Sequence, residues 1–241
     1  MYTLLPSYPA LVYHMPSSFP DDLSARAESL LAASKLLANP YFGDLRSGTL
    51  SRDAFRRSQE QFLFAVRFFS RPMGALVARL PDSASRMDLV RNLAEEQGDF
   101  VADAAHDSTF RAFLLAIGGK SEQLADLRES AGVCAFNQAL MGTCLMSPLP
   151  FAVASIGIIE YAFADVSAMI GQRVIANGWA DDGHLPHYTL HAEIDKRHAS
   201  EFFELIERNW PGESATVHID DGLRFGLHLF NQLYNDLYDL L

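Results

Sequence analysis

The sequence has few cysteines and no cluster of basic residues. Two cysteines, Cys134 and Cys144, are too few for a disulfide scaffold and stand among apolar neighbours, which indicates reduced thiols and a cytoplasmic protein. Lysine and arginine number 19 against 30 acidic residues, and they are dispersed, so we expect no nucleic-acid partner. Neither a signal peptide nor a run of transmembrane length is evident, so we expect no membrane partner.

Alternation typical of β-strands is also lacking, whereas apolar residues recur at helical spacing along most of the chain. Four prolines among residues 1–20 predict an irregular N-terminal arm, and residues 21–241 are expected to form one domain. The expected helices span about residues 21–38, 52–80, 86–117, 121–145, 151–176, 188–209 and 220–241, with a possible break near Gly132. The pattern predicts an all-α, single-domain bundle of about seven or eight helices.

One stretch, from His191 to His198, carries two histidines and an aspartate at helical spacing. His191, Asp195 and His198 are separated by four and three residues, so on a helix they point in one direction within about 60°. The three side chains are suited to binding a metal ion, although a solvent-exposed polar face would have the same spacing.

A second polar stripe lies in the expected third helix. Four of its residues fall within about 80° of one another on an ideal helix: Glu96, Asp99, Asp103 and His106. A solvent-facing stripe is the alternative interpretation, because acidic residues near a helix start are common.

Glu160 is the only charged residue between Phe151 and Ala164. A buried carboxylate without a partner costs several kcal/mol, so this residue is expected to have a cation nearby unless it faces outward. One stripe carboxylate, His106, Glu160 and the three residues of the His191–His198 stretch make six nitrogen and oxygen donors without a thiolate. Such a set is typical of iron or manganese and sufficient for two ions. Asp165 and Glu201 are candidates for orienting the imidazoles. The remaining histidines are expected at the surface or in loops: His14, His184, His187, His218 and His228.

These motifs resemble those of the haem-oxygenase-like di-iron oxidases and oxygenases, including the CADD-like proteins within the TenA/PqqC-like superfamily. The resemblance covers about residues 41–209 and includes Phe68-Phe69-Ser70-Arg71, the segment from Asn92 to His106, the segment from Phe113 to Gly118, Glu160, and the His191–His198 motif. It implies a haem-oxygenase-like domain with two irons. One iron would be held by a third-helix carboxylate, His106 and His191, and the other by Glu160, Asp195 and His198.

The third-helix carboxylate is assigned to Glu96, which shares the His106 face within the matching segment, with Glu95, Asp99 and Asp103 as alternatives. Members that make 4-aminobenzoate from their own side chains have a lysine where Ile170 stands here, and Tyr41 matches their tyrosine loosely. The resemblance therefore does not extend to that self-consuming activity.

The resemblance implies an iron-dependent, homodimeric enzyme that uses O2 to oxidise a small organic metabolite, with amino-acid derivatives among the candidate substrates. Manganese is the alternative metal. Arg67 or Arg71 is a candidate for holding a substrate carboxylate. The alternative function is that of the metal-independent TenA-like and PqqC-like enzymes, with Cys134 as nucleophile or a polar pocket in its place.

Overall fold

The computed structural model describes residues 23–181, 183 and 186–241, which form ten α-helices and no β-strand. The helices are α1 (Leu23–Ser34), α2 (Pro40–Ser47), α3 (Arg52–Arg79), α4 (Ser83–Glu96), α5 (His106–Ala116), α6 (Ser121–Asp126), α7 (Ala131–Met146), α8 (Leu149–Ala176), α9 (Pro186–Asn209) and α10 (Glu213–Tyr238). The all-α prediction is confirmed, whereas the predicted arm of residues 1–20 lies outside the described residues.

Helix α8 is the centre of the bundle and packs most extensively against α9 and α10. Every residue from Ala152 to Glu160 is buried, including the carboxylate. By length and composition α8 could cross a membrane, but most of its apolar stretch is buried inside the fold, as in the core helix of a helical bundle. Glycines allow α10 to approach closely, because a Cβ at Gly222 or Gly226 would overlap backbone carbonyl groups of α8.

Two prolines begin helices that the sequence analysis placed elsewhere. Pro40 was expected to end a helix, but it is the first residue of α2, where its fixed φ is favourable and its missing N–H is not needed. The Asn39 side chain caps this helix by accepting a hydrogen bond from the Tyr41 N–H, at 2.9 Å. Pro186 likewise begins α9, so that His187 belongs to the helix and not to a loop.

The expected third helix was wrong in its middle, because the chain breaks between α4 and α5. Short 3₁₀ turns fill the gap, and three consecutive residues have positive φ: Gly98 (64°), Asp99 (50°) and Phe100 (69°). Glu96 is the last residue of α4 and His106 is the first residue of α5. This break, the extra helix α2 and the division of residues 121–146 into α6 and α7 raise the helix count of the described chain above the expected one.

Candidate metal centre

The six predicted ligands form one cluster beside a cavity. Helix α4 supplies Glu96 from its last turn, α5 supplies His106 from its first, and α8 supplies Glu160 from its middle. Helix α9 supplies the remaining three, which are His191, Asp195 and His198. All six are buried, at most 5% exposed, and four of them line the cavity: Glu96, His106, Glu160 and His191.

Glu96 and His106 form the first contact of the cluster. Glu96 Oε1 lies 2.9 Å from His106 Nδ1, without the geometry of a hydrogen bond. Adjacent ligands of one octahedral ion with bonds of about 2.1 Å would be roughly 3 Å apart, so the contact suits a shared metal. Burial raises the pKa of Glu96 and the charge of His106 lowers it, with a net lowering. Burial lowers the pKa of His106, but Glu96 outweighs it and the net shift is upward.

On α9, His191 is fixed by the carboxylate one turn further on. His191 Nδ1 is 2.7 Å from Asp195 Oδ1, which leaves His191 Nε2 buried and without a partner. His198 Nδ1 lies 3.9 Å from Glu160 Oε2 and 4.0 Å from Asp195 Oδ1, both beyond hydrogen-bond distance. His191 and Asp195 are thus hydrogen-bonded to each other, whereas His198 Nδ1 faces two carboxylates without a hydrogen bond to either.

Among the described residues, five side-chain atoms of the six ligands are buried without a hydrogen-bond partner: His106 Nδ1, Glu160 Oε1, His191 Nε2, Asp195 Oδ2 and His198 Nδ1. Unsatisfied buried polar atoms are costly, and bound cations would satisfy all five. Glu96, Glu160 and His198 each offer an atom within 4.8 Å of the others, so Glu96 is within reach of both predicted ligand groups. The donor set, imidazole and carboxylate without thiolate, suits iron or manganese.

Burial also sets the protonation of the metal-free cluster. It raises the pKa of Glu160 well above the ordinary value, with Asp195 and Glu96 adding negative charge nearby. It raises the pKa of Asp195 in the same way, although His198 opposes the shift. Burial lowers the pKa of His191 to about 3, so this imidazole is neutral and able to act as a ligand at neutral pH.

The structure separates the alternatives for the third-helix carboxylate. Glu95 Oε2 is 2.8 Å from His198 Nε2, the ring nitrogen that does not face Glu160, and it also pairs with Arg197. Its place is thus that of a carboxylate that orients an imidazole. Asp99 and Asp103 are exposed and stand outside the buried cluster.

Neither residue expected to orient an imidazole does so among the described contacts. Asp165 is exposed on α8. Glu201 is bonded to Arg197, at 3.1 Å, and not to a histidine.

His187 is a buried member of the site that the sequence analysis placed among surface or loop histidines. It is 1% exposed, lines the cavity, and has its ring centre 4.2 Å from that of His191. Burial lowers its pKa well below the ordinary value, with His191 and His106 acting in the same direction. The signal in the sequence is its position four residues before His191, which places both rings on one face only if the helix begins before Tyr188, as α9 does.

Apart from the histidines and glutamates, the cavity lining is apolar. Five phenylalanines dominate its wall: Phe62, Phe69, Phe136, Phe163 and Phe230. No lysine or arginine is among the described residues that line it. Arg67 lies instead near Asp107, at 4.0 Å, and Arg71 is exposed, so the predicted carboxylate-binding role finds no support. Cys134 is partly buried on α7 and is not part of the lining.

A helical bundle that encloses a buried cluster of imidazoles and carboxylates is an architecture of metal-dependent redox enzymes. The chain belongs to a haem-oxygenase-like family described as iron-containing redox enzymes, whose family model matches residues 56–224. This membership confirms the resemblance inferred from the motifs and assigns the protein to the oxidoreductases.

Relatives and solved structures agree with this assignment. The 4-aminobenzoate synthase of Chlamydia muridarum is 23% identical over 185 residues, 75% of each chain. The protein of the same name from Nitrosomonas europaea is 22% identical over 207 residues, 80% of this chain and 82% of the relative.

A CADD-like protein from Nostoc punctiforme has a TM-score of 0.75 at 13% identity, over 90% of this chain and 96% of that one. A haem-oxygenase-like domain from Shewanella denitrificans has a TM-score of 0.74 at 11% identity, over 92% and 94%. These likenesses confirm the haem-oxygenase-like fold.

Proposed function

We propose that the protein is a non-haem di-iron oxidase or oxygenase that uses O2 to oxidise a small organic metabolite. The observation that carries the proposal is the convergence of six buried ligands beside an apolar cavity, with five of their side-chain atoms lacking a hydrogen-bond partner among the described residues. Bound iron would supply the activation of O2 and the redox equivalents, which amino-acid side chains lack.

In this proposal Glu96, His106 and His191 hold one ion, and Glu160, Asp195 and His198 hold the other. Manganese is the alternative metal for the same donors. Asp195 keeps the His191 ring oriented by accepting from Nδ1, which leaves Nε2 as the donor atom.

The apolar wall would exclude water from the reaction and bind the carbon skeleton of the substrate. Because the described lining carries no cationic side chain, we propose a substrate that is largely apolar where it enters the cavity. The substrate is proposed to be external. Ile170 stands where self-consuming members have lysine, and the Tyr41 hydroxyl is bonded to Ser58 and Gln59 outside the cavity lining.

The first test is iron stoichiometry after anaerobic loading with excess ferrous ion and removal of the unbound metal. We expect close to two irons per chain in the natural sequence and fewer in His198→Ala. His228→Ala, which removes an exposed histidine of α10, serves as the matched control and is expected to bind as the natural protein does. Loaded protein should then consume O2 when a substrate is supplied.

Metal-independent catalysis of the TenA-like or PqqC-like type is the alternative outcome. A protein that retains no iron, with or without desalting, would contradict the di-iron proposal and return attention to Cys134. We further propose a homodimeric, cytoplasmic enzyme without nucleic-acid or membrane partners. Sedimentation analysis of the full chain tests the oligomeric state.

A further inference from the structure

The tautomer of His187 follows from the hydrogen bonds of Thr109. Thr109 Oγ1 lies 3.1 Å from the carbonyl oxygen of His106 and 3.3 Å from His187 Nδ1. A hydroxyl has one proton to donate, and the carbonyl can only accept it. Thr109 therefore donates to His106 and accepts from His187, which places the imidazole proton on Nδ1. The lone pair of the neutral ring is then on Nε2.

His187 Nε2 is buried and has no hydrogen-bond partner among the residues that the structure describes. The ring stands beside Phe110, with centres 4.8 Å apart, and beside Phe163, at 6.3 Å, neither of which can donate a proton to nitrogen. A nitrogen acceptor buried among apolar side chains costs free energy unless a ligand or a donor satisfies it. Because the residue lines the cavity, that ligand can reach it there.

His106, His187 and His191 all line the cavity, and their imidazole rings have the spacing of ligands around one ion. Ring centres are 4.4 Å apart for His106 and His191, 4.2 Å for His187 and His191, and 6.0 Å for His106 and His187. For imidazoles bound at about 2.1 Å, adjacent ring centres lie roughly 4.5 Å apart and opposite ones roughly 6.4 Å apart. His191 thus stands between two imidazoles that occupy nearly opposite positions.

We propose that His187 is a further metal ligand, which binds through Nε2 to the ion held by Glu96, His106 and His191. The inference rests on the proposed metal centre and extends it from six ligands to seven. It makes the two ions unequal, since one has three imidazoles and a carboxylate while the other has one imidazole and two carboxylates. Thr109 is the positioning residue, because it fixes the tautomer that leaves Nε2 free.

The test compares ferrous ion binding by the natural protein, His187→Ala and the control His228→Ala, in competition with a chelator. We expect His187→Ala to weaken one site about tenfold or more and to leave the other unchanged. Mössbauer spectra of the ferrous-loaded proteins should show one of two iron signals altered. Free imidazole, which fits the space vacated by the side chain, should restore the affinity of the variant but have no effect on the control.

Thr109→Val is the second variant, since it keeps the volume of the side chain and removes the oxygen that accepts from Nδ1. We expect Thr109→Val to lose less ferrous ion affinity at the same site than His187→Ala does. Thr109→Ser, which keeps the hydroxyl, should bind nearly as tightly as the natural protein. Two irons bound with unchanged affinity and spectra in folded His187→Ala would overturn the role of His187 while leaving the di-iron proposal intact. The same result in folded Thr109→Val would overturn the positioning role of Thr109. Absence of iron binding by the natural protein would overturn both.

Discussion

Three buried histidines use one ring nitrogen for a contact within the protein and leave the other without a partner. His191 Nδ1 is hydrogen-bonded to Asp195, and His187 Nδ1 is hydrogen-bonded to Thr109. His198 Nε2 is hydrogen-bonded to Glu95, and His198 Nδ1 faces Glu160. The contacts fix each ring and its tautomer, so the free nitrogens are held in place before any metal arrives.

Glu95 provides a test of this arrangement, because it contacts His198 from outside the cluster. Glu95→Ala should weaken iron binding about tenfold by freeing the His198 ring. Glu95→Gln keeps an oxygen acceptor and should therefore lose less iron affinity than Glu95→Ala. Chelator competition measures the affinities, with Glu193→Ala, an exposed glutamate on the same helix as His198, as control. Equal binding by Glu95→Ala and the control would show that Glu95 has no orienting role.

The two cysteines should differ in reactivity. Burial raises the pKa of Cys144 to about 12, against a small opposing effect of Arg79, so its thiol stays protonated in neutral solution. A thiol reagent near pH 8 should modify partly buried Cys134 first and Cys144 after unfolding. Mass spectrometry of the natural protein and Cys134→Ser measures the order. Oxidation that continues with Cys134 modified would contradict a role for this thiol in the reaction.

At the scale of helices, the sequence pattern predicts the regular helices but not the turn between α4 and α5. The spacing of His191, Asp195 and His198 required one continuous helix, and α9 provides it. Glu96 and His106 were paired on a face of one helix, but they meet because the chain turns between α4 and α5. Such a turn has left-handed residues stabilised by tertiary contacts, which hydrophobic periodicity does not reveal.

Gly98 is the residue on which that turn depends. Its φ is +64°, and a Cβ there would overlap the backbone of Ala104 and Ala105. Gly178 has nearly the same φ, +65°, with nothing within 4 Å of the corresponding position. Gly178→Ala should therefore cost about 1–2 kcal/mol of unfolding free energy from backbone strain alone.

Gly98→Ala should cost more than Gly178→Ala and should also weaken iron binding, because the displaced turn separates Glu96 from His106. Denaturant unfolding and chelator competition on both variants measure the two effects. Equal stability loss in the two variants, with iron binding unchanged, would contradict the role assigned to the turn.

At the scale of the whole molecule, the metal site is part of the core. Helix α8 is packed between α9 and α10, and the cluster lies along its contact with α9. A cation bound there satisfies buried atoms that the metal-free fold leaves without partners. Iron bound to the folded chain and not to the unfolded one should therefore raise the melting temperature.

The size of that increase should depend on pH in a known direction. Burial raises the pKa values of Glu160 and Asp195 in the metal-free fold, so both hold protons above their ordinary range. The pKa of His106 is also raised, by Glu96 against the effect of burial. Metal must displace these protons, and binding therefore strengthens as pH rises. His191, with a pKa of about 3, releases no proton near neutral pH.

Calorimetry of metal-free and ferrous-loaded protein under anaerobic conditions should therefore show a larger gain in melting temperature near pH 8 than near pH 6. Glu160→Gln, which removes one of the displaced protons and one charged ligand, should show a smaller gain and a weaker pH dependence. Comparing the gain, and not the melting temperatures themselves, cancels the titration of groups that metal binding does not affect. An increase in melting temperature that is the same at both pH values would mean that Glu160 and Asp195 are already ionised in the metal-free fold. Water, and not a metal ion, would then satisfy their buried oxygens.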